Sequence, residues 1–112
     1  TQEGLENAGE IAAVDGIDAL FVGPADLSGS LGIFGEWGSK RFGDTLEHIV
    51  DTGHAVETPV GTLTIDTADI EPRLEQGFDF LIAGKDASLL MEGIEGAMET
   101  YEQALSRTSA VE

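Results

Sequence analysis

Apolar and polar positions along the chain follow two periods, which predict a repeating order of helices and strands. In residues 90–105 apolar side chains recur every three or four positions, as in an amphipathic helix. Residues 17–22 and 78–83 are short apolar runs bounded by glycines, which is typical of strands buried on both faces. The predicted elements begin with a helix at 1–14, a strand at 17–22, a glycine-rich irregular segment at 28–42, and a helix at 44–52 that Asp44 caps and Gly53 stops. A strand at 56–63, a helix from Asp66 or Asp69 to Gln76, a strand at 78–83, and a helix at 90–105 with a frayed tail at 106–112 follow.

This order of elements defines the class of fold. Strict alternation of helices and strands predicts a parallel sheet, because parallel strands need a crossover between them. Three such strands leave both edges of the sheet open, which parallel sheets rarely tolerate. A complete (β/α)8 barrel needs roughly 250 residues, whereas the chain has 112. With no linker or internal repeat, residues 1–112 are expected to form one partial α/β domain with about three strands and four helices.

Acidic side chains dominate the charge of the chain. It carries 22 Asp and Glu against 5 Lys and Arg, a net charge of −17, alongside 41% hydrophobic residues. Disordered chains combine high charge with low hydrophobicity, so this composition favours a folded domain with an acidic surface. Acidic surfaces are a known feature of salt-adapted proteins, and we hypothesise a halophilic microbial source. Nucleic acid is not expected as a partner, because binding it needs a basic patch that the sequence lacks.

Three features that the sequence lacks limit the possible bonds, partners and location of the chain. The chain has no cysteine, which excludes disulfides and thiolate metal ligands. No apolar run approaches the roughly 20 residues of a membrane span, so a membrane is not expected as a partner. The amino terminus lacks a basic region followed by an apolar stretch, which is the pattern of a signal peptide. The expected location is therefore the cytoplasm.

The most informative chemistry lies in residues 19–32, where Asp26 follows a predicted strand and the turn Gly23-Pro24. In parallel α/β folds, ligands bind at the carboxyl ends of the strands. Gly23 lets a ligand approach the backbone closely, and Asp26 offers a hard oxygen ligand beside free amides. These residues suit a divalent cation that holds a small carboxylate substrate. The spacing equally allows Asp26 to cap a short helix that begins at Leu27.

The sequence also resembles a known family. Gly-Pro-Ala-Asp-Leu-Ser at 23–28, followed by Ser-Leu-Gly at 30–32, is similar to the signature of the HpcH/HpaI aldolases, which are metal-dependent pyruvate aldolases related to the citrate lyase β-subunit. The resemblance extends through Glu-Ile-Ala-Ala-Val-Asp-Gly-Ile-Asp at 10–18 and Gly-Phe-Asp-Phe-Leu-Ile-Ala-Gly-Lys-Asp at 77–86, and it is weakest at 35–64. It implies that the chain is the carboxyl-terminal part of a (β/α)8 TIM barrel.

The resemblance implies a reaction and a site as well. A divalent metal ion, Mg, Mn or Co, would bind a small 2-keto acid substrate, and a carbon–carbon bond would form or break next to a pyruvate enolate. Asp26 would be a metal ligand, and backbone amides around Gly23, Ala25 and Asp26 would receive the substrate carboxylate. Ser28 would support them. The second metal ligand of the family, a Glu, and its catalytic Arg and His belong to earlier strands, so no residue of this chain is assigned a catalytic role.

Several readings of this resemblance stay open at the level of the sequence. The chain alone is expected to be inactive, since one carboxylate with backbone groups rarely holds a divalent ion tightly. It is part of an aldehyde-lyase, or it is a non-catalytic remnant or split subunit of one. A lyase of the same superfamily that acts on a CoA thioester is a further alternative. The family exchanges its last helix between subunits, which implies a homo-oligomer for the intact enzyme.

Other polar and aromatic residues are expected to serve the structure. His48 lies at a surface position inside a predicted helix. His54 lies at the amino-terminal side of a strand, where the residues of a barrel usually serve stability. Lys85 is expected at the solvated start of the last helix. Phe34 and Trp37 are expected to pack rather than to cover a substrate.

Overall fold

The computed structural model describes residues 1–110, in which three parallel strands form one sheet. The strands lie in chain order across this sheet: β1 (Leu20–Val22), β2 (Val60–Leu63) and β3 (Phe80–Ile82). Phe21, Gly61 and Phe80 lie side by side in its register. The parallel α/β arrangement predicted from the alternation of elements is therefore confirmed.

Six α-helices lie within residues 1–110, two more than predicted. They are α1 (Gln2–Glu6), α2 (Ala8–Ala12), α3 (Pro24–Ser30), α4 (Lys40–Ala55), α5 (Ile70–Glu75) and α6 (Asp86–Ser109), and a 3-10 helix (Thr67–Asp69) precedes α5. The predicted first helix is divided at Asn7, which ends α1 and begins α2 with φ −98°. α3 replaces the start of the predicted irregular loop 28–42. Pro24 favours it, because the fixed φ of proline suits the first helical position, where its missing N–H costs no hydrogen bond.

α4 begins and ends outside the predicted limits 44–52. Ser39, and not Asp44, caps its amino end, since the Ser39 hydroxyl accepts a hydrogen bond from the Phe42 N–H at 3.3 Å. The predicted stop at Gly53 is wrong, because the helix continues for two more residues. Gly53 instead marks the place where α4 packs directly on β2, which leaves no room for a side chain.

One face of the sheet packs on α4 and carries the hydrophobic core. The core consists of Val22, Leu27, Leu31, Phe42, Leu46, Ile49, Val50, Val60 and Phe78. The opposite face is open, since Phe21, Phe80 and Ile82 are 50%, 40% and 48% exposed. Phe21 and Phe80 stack across Gly61 with ring centroids 6.1 Å apart. Within the described residues, the sheet therefore has a covering layer on one face only.

The helices on the covered face lie in the order α2, α4, α5. α2 packs on one side of α4, and the Thr58 hydroxyl fastens the end of α2 by donating to the Ala12 carbonyl at 2.9 Å. On the other side of α4, the buried Arg73 of α5 holds its guanidinium 5.8 Å from the centre of the Phe42 ring. Arg73 also donates to Asp69 at 2.7 and 2.9 Å. The order of helices thus matches the order of strands, as successive βαβ units require.

α6 projects away from the rest of the chain and extends the molecule to 70 Å. None of its residues is buried. Its exposed apolar side chains are Leu89, Leu90, Met91, Ile94, Met98, Tyr101 and Leu105. The helix continues to Ser109, beyond the predicted end at residue 105, and residues 111 and 112 of the predicted frayed tail lie outside the described part. No helix of residues 1–110 is both long and apolar enough to cross a membrane.

His54 and Asp79 meet at the amino ends of β2 and β3. Asp79 Oδ2 accepts a hydrogen bond from the Val60 N–H at 2.8 Å and lies 2.8 Å from His54 Nε2. These contacts, with the backbone N–H contributing most, lower the pKa of the Asp79 carboxyl. The structural role predicted for His54 is in keeping with this geometry, and His48 is exposed on α4 as predicted.

Ionised Asp79 is expected to stabilise the fold in a pH-dependent way. Because its pKa is lowered in the folded state, its contribution is complete above the unfolded pKa of about 3.9 and is lost as the pH falls through the lower folded value. Urea denaturation from about pH 5 down to about pH 2 measures this loss. The loss should be smaller in Asp79→Asn than in the wild type.

The control for this measurement is Asp51→Asn, which removes an exposed carboxylate on α4. It corrects for the general change in charge on acidification. Equal losses of stability in the wild type, Asp79→Asn and Asp51→Asn would show that the contacts of Asp79 contribute nothing.

Candidate functional site

The carboxyl end of β1 turns directly into α3 and places Asp26 there. Gly23 is the N-cap of α3 in an extended conformation, and Pro24 is its first helical residue. Asp26 is therefore in the first turn of the helix, with an exposed side chain. The alternative prediction that Asp26 caps a helix beginning at Leu27 is wrong, because the helix begins three residues earlier.

The three residues predicted to bind substrate lie together at this turn. The Asp26 carboxylate folds back toward Gly23, so that a Cβ added at Gly23 would lie 3.2 Å from Asp26 Oδ2. The first hydrogen bond of the helix runs from the Leu27 N–H to the Gly23 carbonyl at 2.9 Å. The N–H groups of Ala25 and Asp26 precede it and have no acceptor within the helix. One carboxylate and two free amides thus share a small area of surface.

Ser28 stabilises this turn from its buried side. Its side chain is fully buried, and its hydroxyl donates to the Ala25 carbonyl at 3.0 Å. The hydroxyl is consequently committed to the backbone of the turn and faces away from solvent. This is the supporting position that the resemblance implied for Ser28.

A groove of about 330 Å³ runs beside Asp26, between β1 and the pair of short helices α1 and α2. Its lining residues are Thr1, Gly4, Leu5, Ala8, Ile11, Leu20, Phe21, Val22, Gly23, Asp26, Leu27 and Ile49. Sequence reasoning missed this groove, since it predicted one continuous helix at 1–14 with Leu5 and Ile11 on a single apolar face. The exposure of Ile11, 41%, shows that this side chain faces an open space instead.

The donor set of this turn would supply only one part of a metal site. No group of three or more His, Cys, Asp or Glu side chains converges within residues 1–110. Divalent ions such as Mg take six oxygen ligands, usually from one or two carboxylates, substrate and water. Asp26 and the neighbouring backbone fit as the contribution of one strand end to such a site, and they do not complete it.

Other residues singled out in the sequence lie elsewhere. His54 is at the amino ends of the strands, opposite the edge that carries Asp26. Trp37 packs on the core and meets the rings of Phe42 and Phe34 edge-on at 5.6 and 6.1 Å, which confirms its packing role. Lys85 is the exposed N-cap of α6, as predicted.

The HpcH/HpaI aldolase/citrate lyase family matches residues 1–93. Because this match covers most of the chain, the protein belongs to that family, and the resemblance seen in the sequence is confirmed. Residues 94–112, which include most of the exposed part of α6, lie beyond the match.

Curated relatives of this chain are sugar-acid and pyruvate aldolases by name. The hydroxypyruvate/pyruvate aldolase of Chromohalobacter salexigens is 39% identical over 103 residues. The 5-keto-4-deoxy-D-glucarate aldolase of Escherichia coli O157:H7 is 32% identical over 103 residues. The alignments cover 92% of this chain but 39% and 40% of the relatives. The chain therefore spans about two-fifths of the curated relatives that it matches.

Solved structures of the family share the fold of this chain. An HpcH/HpaI aldolase/citrate lyase family protein from Burkholderia cenocepacia superimposes with a TM-score of 0.82 at 30% identity, covering 88% of this chain and 38% of that protein. The citrate synthase SbnG superimposes with a TM-score of 0.79 at 28% identity, covering 92% of this chain and 42% of that protein. The α/β arrangement is thus that of the family.

Proposed function

We propose that this chain is part of a metal-dependent pyruvate aldolase, an aldehyde-lyase that forms or breaks a carbon–carbon bond next to a pyruvate enolate. The observation that carries the proposal is the Asp26 carboxylate, which lies over Gly23 at the ligand-facing end of β1. Membership of the family and the aldolase names of the two curated relatives support the proposal.

In this proposal the turn at residues 23–28 binds both the cofactor and the substrate. Asp26 would hold a divalent ion, and Mg, Mn and Co all suit oxygen ligands. Such an ion polarises the ketone of a 2-keto acid and stabilises the negative charge of the enolate. The N–H groups of Ala25 and Asp26 would bind the substrate carboxylate, and Gly23 leaves their approach open. Ser28 holds the turn through its bond to the Ala25 carbonyl.

We further propose that residues 1–112 form one partial domain, the carboxyl-terminal part of a (β/α)8 TIM barrel. The parallel sheet with two outer strand edges and one uncovered face is what a portion of a barrel would present. The coverage of about two-fifths of the relatives supports the same conclusion. Because the chain supplies a single carboxylate, it is expected to be inactive without the remaining strands.

Two alternatives compete with this proposal. The first is a non-catalytic remnant or split subunit, which the single carboxylate at the site favours. The second is a lyase acting on a CoA thioester, which the citrate lyase part of the family description and the similarity to a citrate synthase favour. With 5 Lys and Arg in the whole chain, no basic cluster for the phosphates of CoA is evident.

We also propose an oligomeric state, a source and a location for the intact enzyme. The uncovered apolar side of α6 supports a homo-oligomer, because a contiguous apolar surface of this kind is usually an interface. The net charge of −17 supports a halophilic source. The cytoplasm stays the predicted location.

The test is a retro-aldol assay that follows pyruvate release from 4-hydroxy-2-keto acids with Mn or Mg at high salt. It compares this chain alone with the chain supplemented by the unmatched remainder of the Chromohalobacter salexigens relative. Activity is expected only in the mixture. Asp26→Asn should reduce it on the order of 100- to 1,000-fold, the loss typical when one stabilising group of a developing oxyanion is removed.

The matched control is Asp18→Asn, which removes an exposed carboxylate at the opposite end of β1 and should leave activity unchanged. Activity of the chain alone would overturn the incomplete-site interpretation. A mixture that associates but releases no pyruvate from any of the 4-hydroxy-2-keto acids would favour the non-catalytic alternative.

A further inference from the structure

Both methionines of the chain, Met91 and Met98, lie on α6. They are seven residues apart, which is close to two helical turns, so they occupy one side of the helix. Met91 and Met98 are 54% and 51% exposed, and no residue of α6 is buried. Their thioether sulfurs are therefore open to small oxidants in solution.

The two methionines lie at the border between the apolar side of α6 and its carboxylates. Residues three or four apart are neighbours on the surface of a helix. Ile94 neighbours both methionines on one flank, and Glu95 neighbours both on the other. Ile94 belongs to the exposed apolar residues, whereas Glu95 is one of the exposed carboxylates. Polar groups at positions 91 and 98 would therefore extend the acidic side and narrow the apolar side.

A peroxide converts a thioether into such a polar group in one balanced step. A lone pair of the sulfur attacks one oxygen of hydrogen peroxide, and a sulfur–oxygen bond forms as the oxygen–oxygen bond breaks. Sulfur loses two electrons, while the second oxygen leaves as hydroxide and takes the proton of the transferred oxygen to form water. The product is methionine sulfoxide, which is polar and which methionine sulfoxide reductases convert back to the thioether.

The apolar side of α6 is suited to a second copy of the same helix. Its seven exposed large apolar residues, from Leu89 to Leu105, extend along about 24 Å at 1.5 Å per residue. A two-fold interface uses the same surface on both copies, so two apolar sides of this length can cover one another completely. The glutamates border this surface, and salt screens the repulsion between them.

We propose that Met91 and Met98 form a peroxide-sensitive modification site that controls self-association through α6. The inference rests on the proposed homo-oligomer. A sulfoxide at this interface would be buried without a hydrogen-bond partner for its oxygen, which costs free energy. Assembled copies cover the two sulfurs, so peroxide acts on the free chain and prevents it from assembling. The oligomer therefore forms only while both methionines are reduced.

Sedimentation equilibrium of the chain before and after treatment with hydrogen peroxide measures this effect. The measurement is made in about 1 M KCl, where charge repulsion is screened, and peptide mass spectrometry identifies the oxidised residues. Oxidation of both methionines should weaken self-association on the order of 100-fold, about tenfold for each apolar side chain lost from the interface. With peroxide in excess, the rate of oxidation should fall as the concentration of the chain rises, because assembly covers the sulfurs.

The matched control is the double variant Met91→Leu with Met98→Leu, which conserves volume and apolar character but has no sulfur. It should associate like the reduced wild type and should not respond to peroxide. The double variant Met91→Gln with Met98→Gln is polar at both positions. Without peroxide, it should associate as weakly as the oxidised wild type. Circular dichroism of each protein checks that α6 stays helical.

The possible results separate the modification site from the oligomer and from the aldolase. Equal weakening by peroxide in the wild type and in Met91→Leu with Met98→Leu would assign the effect to another residue and overturn the site. An oxidised wild type that associates as tightly as the reduced protein overturns the site and leaves the homo-oligomer standing. A reduced wild type that stays monomeric at millimolar concentration overturns both. The retro-aldol assay tests the aldolase independently of these results.

Discussion

Gly53→Ala is expected to lower the free energy of unfolding by about 2–3 kcal/mol, the cost of overpacking a tight interior site. An added Cβ would lie well inside van der Waals contact with Val60 Cγ2 and 2.9 Å from the Thr58 carbonyl oxygen. The Thr58 backbone cannot retreat freely, since its N–H donates to the Gly53 carbonyl at 2.9 Å. The gain in helix propensity of alanine over glycine, up to about 1 kcal/mol, only partly offsets this clash.

Gly43→Ala is the matched control, because it makes the same change in the same helix. A Cβ at Gly43 would meet only the Gln76 side chain, at 3.9 Å. This substitution should therefore raise the stability by about 0.5–1 kcal/mol, the usual advantage of alanine over glycine in a helix. Urea denaturation midpoints of the two variants should move in opposite directions. A Gly53→Ala protein as stable as Gly43→Ala would mean that α4 does not pack on β2 as described.

Salt is expected to stabilise this chain strongly. Of its 22 acidic residues, only Asp44 and Asp69 pair with a Lys or Arg side chain within residues 1–110. The remaining carboxylates repel one another over distances that salt screens, since the Debye length falls from about 10 Å at 0.1 M to about 3 Å at 1 M. Thermal unfolding followed in about 0.1 M and about 1 M KCl should show a midpoint about 10 °C higher at high salt, equivalent to about 2 kcal/mol.

α6 offers the variant that tests this explanation. Glu92, Glu95, Glu99 and Glu102 are exposed and follow one another at spacings of three and four residues, where like charges on a helix repel. Replacing all four by Gln preserves shape and removes charge, so the midpoint should rise at low salt and depend less on KCl. An unchanged salt dependence would assign the effect to something other than these charges.

The sequence located the three strands because their signal is local, although the predicted ranges 17–22, 56–63 and 78–83 are longer than the strands themselves. Apolar runs between glycines located β1 and β3, and Gly23-Pro24 located the turn that carries Asp26. Asp66 was one of the two predicted starts of the third helix, and it caps the 3-10 helix there, where its carboxylate accepts from the Asp69 N–H at 3.1 Å.

The misses arose where tertiary packing outweighs local propensity. The glycines in residues 28–42 suggested a loop, although residues 28–30 belong to α3. Helical periodicity continues across Asn7, so the division of the first helix left no trace in the pattern. The groove beside β1 depends on α2 packing against α4 rather than on β1, which no local pattern encodes.

The packing of Phe80 over Gly61 on the open face of the sheet couples the side-chain sizes that are allowed at these two positions. Phe80 covers Gly61 so closely that any Cβ there would overlap the ring. A side chain can therefore enter position 61 only after position 80 has become small, and a large residue can return to position 80 only after position 61 is again without a side chain. Across homologues, the sizes of these two residues should vary inversely, so that an alignment would record the contact as a correlated pair.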